Sequence, residues 1–101
     1  MAHVEFDTGA ALKRDLRAAK RAGELARVRA GIDDLEAEAK GLDIVPLAGA
    51  APWRRMRVGN YRVLFRPLTP SEMRQLGQRG RGYLVARIVN RRDLDRATAA
   101  L

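Results

Sequence analysis

The sequence predicts an α+β domain: a short N-terminal strand, a helical hairpin, a mostly antiparallel sheet of about four strands in total, and a short C-terminal helix. Three observations carry this expectation. Apolar residues recur at steps of three and four between residues 10 and 42. They alternate over 56–65, and they run almost unbroken over 83–90. Helices grouped ahead of the strands then have one face of the sheet to cover. At 101 residues the chain makes one domain, 1–101, large enough for a core without staples.

Each element has its origin in local chemistry. Val4 and Phe6 share one face of "AHVEFD", which reads as the first strand, and Asp7 or Thr8 is placed to cap the first helix. Leu12, Leu16 and Ala19 stripe that helix, which Gly23 interrupts. Leu25, Val28, Ile32, Leu35, Ala39 and Leu42 stripe a second helix, with Gly41 as its expected stop. So short a break at Gly23 implies an antiparallel hairpin of helices. "DIVPLAGAAPW", 43–53, reads as a connecting loop. Met56 and Val58 begin strand material, and Gly59-Asn60 marks a tight turn or a bulge. Beyond it Tyr61, Val63 and Phe65 fall on one face, Arg62, Leu64 and Arg66 on the other. Residues 67–82 read as a long mobile loop, 83–90 as the strongest strand, and 91–101 as a short terminal helix.

Charge adds a second layer. Residues 1–53 hold 8 Lys+Arg and 9 Asp+Glu, a net of −1. Residues 54–101 hold 12 Arg, no Lys and 3 acids, a net of +9. The whole excess of +8 therefore lies in the sheet-forming half, which points to a polyanion or an acidic protein partner. GC-rich coding accounts for 17 Arg against 3 Lys, but not for the loss of acids from one half. With no Cys and with His3 as the one histidine, thiolate or His-based metal sites and a Ser-His-Asp triad are excluded. The expectation is a cytoplasmic protein without metal, cofactor, secretory signal or membrane segment. If the helical hairpin covers one face of the sheet, the other is left for arginines: Arg54, Arg55, Arg57, Arg62 and Arg66 crowd into 54–67.

At these residues the chain resembles a known family. "PLAG" followed by "RMRVGNYRVLF", and then "YLVARIVNRRDLDRA", is similar to the RelE/ParE toxins of bacterial type II toxin–antitoxin modules. The likeness covers nearly the whole chain. It implies a toxin neutralised by a cognate antitoxin, and operator DNA bound only as part of the toxin–antitoxin complex. RelE-like members cut mRNA on the ribosome; ParE-like members inhibit DNA gyrase. The RelE-like reading implies a metal-independent endoribonuclease that inhibits translation. In it the ribose 2′-hydroxyl attacks the neighbouring phosphate and basic side chains stabilise the charge.

Carried over by position, Arg55, Arg62 and Arg91 take the catalytic places, with Arg92 as the alternative register for the last. RNA-binding places go to Arg54, Arg57, Arg66, Arg79, Arg81 and Arg92. Arg57 and Arg66 also fit a solvated strand face, and Arg79 and Arg81 fit a soluble loop. Three departures stand out. The family's C-terminal tyrosine is missing from Asp93-Leu94-Asp95-Arg96, Asn90 stands where a histidine is usual, and the 67–82 loop is longer. The missing tyrosine favours the alternative, a gyrase inhibitor or an inactive toxin acting only as corepressor. Asp95 is read as a surface carboxylate paired with Arg92 or Arg96 ahead of a role as base. Tyr61 and Trp53 are read as core, His3 as a surface residue.

Overall fold

A computed structural model describes residues 1–101. Strand β1 (His3–Phe6) leads into helices α1 (Ala10–Arg21) and α2 (Leu25–Glu36). Strands β2 (Ile44–Pro46), β3 (Arg54–Val58) and β4 (Tyr61–Pro67) come next, then α3 (Pro70–Gln75), β5 (Gly82–Asn90), a 3-10 turn (Arg91–Asp93) and α4 (Leu94–Ala99). The sheet has five strands in the order β1-β5-β4-β3-β2. β1 lies parallel to β5 and the other neighbours are antiparallel. The expected α+β order is the observed one, with one more strand. β2 comes from inside the 43–53 loop, because three residues ahead of the prolyl turn pair with β3.

The helical hairpin covers one face. Leu12, Ala19, Val28, Ile32 and Leu35 pack on Met56, Tyr61, Val63, Phe65, Val85 and Ile88. Gly31 lets α2 approach β3, since a Cβ there would meet Val58 at 2.6 Å. Gly23 closes α1 in a left-handed conformation, φ 74°, while the Glu24 N–H reaches back to the Ala19 carbonyl at 2.9 Å. That short closure turns α2 back along α1.

Four expectations change. α2 stops at Glu36, ahead of Gly41, because Glu38 itself takes the left-handed position at φ 55°. Its carboxylate meets the N-terminal ammonium at 3.6 Å and Arg81 at 3.7 Å. α1 is capped by neither Asp7 nor Thr8: Gly9 is the N-cap, and its N–H donates to Asp7 Oδ2 at 3.1 Å. Residues 67–82 are not one loop, since Thr69 and Glu72 form a reciprocal capping box that nucleates α3. Lastly, the second sheet face is not left wholly to arginines. Leu64 and Val89 are buried there under Leu47 and Ala97, with Trp53, Ala50 and Leu94 around them. The sequence 43–53 folds back as cover because burying its apolar residues removes them from water.

A bulge joins β4 to β5. Leu64 pairs with Arg87 and Phe65 with Val85, so Ala86 is the extra residue. Such a bulge re-aims a side chain. Arg87 turns to α1, where Nε and a terminal nitrogen donate to Asp15 at 2.7 and 3.1 Å. Asp15 Oδ2 also accepts the Ile88 N–H at 3.0 Å, so one carboxylate ties α1 to β5.

Glu72 has three donors: the Thr69 N–H at 2.9 Å and two Arg66 nitrogens at 2.8 and 2.9 Å. The Arg66 hydrogen bonds, and after them those from Thr69, bring its carboxyl from an ordinary 4.5 to about 2. A carboxyl lowered on folding stabilises the fold above its unfolded value, and that contribution is lost as pH falls through the folded one. Between pH 4.5 and about 2, α3 therefore loses the carboxylate half of its capping box and its charged tie to β4, while the Thr69 hydroxyl still accepts the Glu72 N–H. Thermal unfolding measured across this window should show Glu72→Gln less stable than wild type at pH 6, with the difference closing toward pH 2.

Candidate nucleic-acid interface

The β3–β4 turn is where the charged site begins. Val58 pairs with Tyr61, which leaves Gly59-Asn60 as a two-residue loop. Gly59 has φ 58° and Asn60 keeps a negative φ, so the turn is type II′ with glycine at its first central position. The Asn60 carbonyl accepts the Arg91 N–H at 2.8 Å. That bond fixes the end of β5 against the hairpin tip and brings Arg91 to it.

Alternation then sorts the arginines. Met56 and Val58 face the helices, so Arg55 and Arg57 face the other way, and Arg62 joins them from β4. Arg57 and Arg62 are direct cross-strand partners. Like charges placed opposite each other on a sheet destabilise it. Arg62 folds over the turn: one terminal nitrogen donates to the Gly59 carbonyl at 3.1 Å and to the Tyr61 carbonyl at 3.0 Å. Its pKa is lowered, first by burial and then by Arg55, Arg57 and Arg91, while Asp43 opposes the shift. Three guanidinium groups thus act on Arg62 around one turn.

Asp43 is the carboxylate paired inside this group. It precedes β2, whose Ile44 packs toward the helices, so its side chain falls on the arginine face. It meets a terminal nitrogen of Arg55 at 3.5 Å, and its carbonyl accepts the Arg57 N–H at 2.9 Å. Arg57 and Arg91 carry no acidic partner of their own, so their donors are open to a ligand. Arg27 of α2 reaches the same turn, since a Cβ on Gly59 would meet it at 2.8 Å.

The other expected residues lie elsewhere. Arg66 shares the sheet face but is spent on the fold: it is bidentate to Glu72, and its guanidinium stacks over Trp53 at 5.8 Å. Arg54 falls on the helix-covered face and lines a groove with Arg81 and Tyr83. Arg79 and Arg81 sit ahead of β5, roughly 30 Å along that strand from Arg91 at about 3.3 Å per residue. Arg92 lines a 430 Å³ groove between α1 and α4 with Asp15 and Asn90. Of the two registers open after β5, Arg91 is therefore the one whose charge reaches Arg62.

Asn90 does not occupy the site: its side chain caps the 3-10 turn by accepting the Arg92 N–H at 3.2 Å. Asp95 is exposed without an ion pair, and Arg96 pairs with Asp93 at 2.7 Å instead. Asp43 and Arg27 are the members that sequence reading missed. The one signal for Asp43 was its place just before the strand that became β2.

No group of three or more His, Cys, Asp or Glu side chains converges as a metal site, and no helix is long and apolar enough to cross a membrane. What the cluster offers is a set of charge-fixed donors on a rigid hairpin, suited to phosphate oxygens.

The fold is similar to that in the crystal structure of the RelB-RelE antitoxin-toxin complex from Methanococcus jannaschii. The TM-score is 0.57 at 17% sequence identity, covering 92% of this chain and 96% of that chain. No family model matches the sequence, and no curated protein does. The RelE-like fold implied by the two motifs is the fold observed.

Relieving the cross-strand repulsion separates stability from binding. Arg57→Thr should stabilise the domain by a few tenths of a kcal/mol, up to about 1. It should also weaken binding to single-stranded polyuridylate and lower the log–log salt slope by roughly 0.7. Urea denaturation and a salt titration of binding check both.

Proposed function

We propose that this chain is the toxin of a toxin–antitoxin pair and that it cuts mRNA on the ribosome, held inactive by a cognate antitoxin. The observation that carries the proposal is the Arg55/Arg57/Arg62/Arg91 cluster at the tip of the β3–β4 hairpin of a RelE-like fold.

The chemistry rests on what the cluster can do. An RNA strand carries its own nucleophile, the 2′-hydroxyl beside each phosphate. Cutting it requires that this oxygen be held in line and that the charge growing on phosphate be met. Arg62 is anchored on two carbonyls through one nitrogen, which leaves its remaining donors for a phosphate oxygen. Arg55 and Arg91 approach from the two neighbouring elements. Their mutual repulsion makes the empty site electrostatically costly, and a phosphate relieves it. The charge on the pentacoordinate phosphate exceeds that of the ground state, so the arginines favour the transition state more than the substrate. Guanidinium supplies this charge at any physiological pH, without a metal.

The same surface explains how an inhibitor acts. A segment of antitoxin rich in acids covers a face of like positive charge and competes with mRNA for it. Operator DNA is bound by the pair, through the antitoxin. One observation favours a second reading, inhibition of DNA gyrase without cutting: exposed Asp95 stands where the nuclease family has a tyrosine.

Primer extension on a defined mRNA in a translating mixture tests the proposal. Antitoxin-free wild type should cut within codons in the ribosomal A site. Arg62→Ala should cut about a hundred- to thousand-fold more slowly. Folded protein that leaves mRNA whole and blocks DNA supercoiling would replace the proposal by the gyrase reading.

A further inference from the structure

Attack by a 2′-hydroxyl needs a place for its proton, and the arginines provide none. Guanidinium has donors and no acceptor. The side chains that could accept the proton are few, and most lie away from the cluster. His3 sits on β1, bonded to Glu5 at 2.7 Å, beside the start of β5. Tyr61 is buried in the core under the helices. Asp93 is bonded to Arg96, and Asp95 is exposed on α4. Asp43 remains. Its side chain lies on the arginine face, 3.5 Å from Arg55, and is about half exposed, so a ligand can reach it.

We propose that Asp43 is the general base of this site: its carboxylate, held beside Arg55, takes the proton of the ribose 2′-hydroxyl while Arg55 and Arg62 hold the adjacent phosphate. This rests on the nuclease reading above. In the step, the bond from the 2′-oxygen to phosphorus forms and the bond from phosphorus to the 5′-oxygen breaks. The 2′ proton passes to Asp43. The departing 5′-oxygen takes a proton from water, and Asp43 returns its proton to the hydroxide so formed. The products are a 2′,3′-cyclic phosphate and a 5′-hydroxyl, with no oxidant, reductant or co-reactant.

The arrangement also accounts for the missing tyrosine. The base enters from the β2 side of the sheet, from the loop after α2, and not from the C-terminal segment. Arg55 then has two roles: it binds phosphate and it orients the carboxylate.

Chemical rescue separates this role from a merely structural one. Single-turnover cutting of ribosome-bound mRNA is measured for the full antitoxin-free chain as wild type, Asp43→Asn and Asp43→Ala. Binding is measured to an oligonucleotide of the same sequence with 2′-deoxyribose at the cut. Asp43→Asn should lower the rate about 10²- to 10⁴-fold and leave binding unchanged or tighter. Formate should restore cutting by Asp43→Ala in proportion to its concentration, where chloride at equal ionic strength does not. Wild type that cuts, with Asp43→Asn cutting equally well, overturns the role of Asp43 alone. So does loss of binding in both variants without rescue by formate, which makes Asp43 a support for Arg55. Wild type that does not cut overturns the nuclease reading and this one with it.

Discussion

Four guanidinium groups that repel one another share the tip of one β-hairpin, and the rest of the structure answers to that constraint. Arg57 and Arg62 face each other across the ladder, a pairing that a sheet selected for stability alone avoids. Arg55 and Arg91 close in from either side. To stay folded the hairpin needs support from positions that bear no charge. A type II′ turn at Gly59 sets the strand register, and the bond from Arg91 N–H to the Asn60 carbonyl pins β5 to it. Beneath the tip both faces of β4 are buried: Val63 and Phe65 toward the helices, Leu64 toward Leu47, Val89 and Ala97. The arginines therefore stand on a strand whose apolar burial offsets their repulsion.

Partner choice divides the arginines of the second half into two kinds. Arg66 and Arg87 are each held by two bonds to one carboxylate, and their pKa values are raised by Glu72 and Asp15. These belong to the architecture: one ties α3 to β4, the other ties α1 to β5. Arg62 is the opposite case. Its pKa is lowered, and its protein partners are carbonyl oxygens that leave its charge uncompensated. Fully paired arginines hold a fold together; unpaired ones on the same face keep donors open. Asp43 is the single carboxylate admitted to that group. Its placement before β2 makes it a counter-charge to Arg55 as well as a candidate base.

Much of this was legible from the residues. The 3.6 and 2 periodicities placed the helical hairpin and the strands, and the charge asymmetry marked the half that supplies the clustered arginines. Arg55 and Arg91 both lie near enough to Arg62 to lower its pKa. What stayed hidden depends on distances in space. Nothing local marks Ala86 as a bulge, yet the bulge turns Arg87 to Asp15 seventy-two residues away. Arg66 alternates with apolar residues like Arg62, and only Glu72 on a helix read as loop removes it from the site. Thr69 and Glu72 did carry the spacing of a capping box, hidden among turn formers. Glu38 takes the left-handed position with its carboxylate between the N-terminus and Arg81, contacts that sequence spacing does not reveal.

The most direct test is a titration of the free protein with a 2′-deoxy-blocked oligonucleotide, monitored by NMR at the arginine Nε–H groups. If the hairpin tip is the phosphate site, the signals of Arg55, Arg57, Arg62 and Arg91 shift together and saturate at one ratio. Those of Arg66, Arg79 and Arg81 then stay in place. Shifts at Arg79 and Arg81 with the tip unmoved would contradict it, and would place the anion at the opposite end of β5.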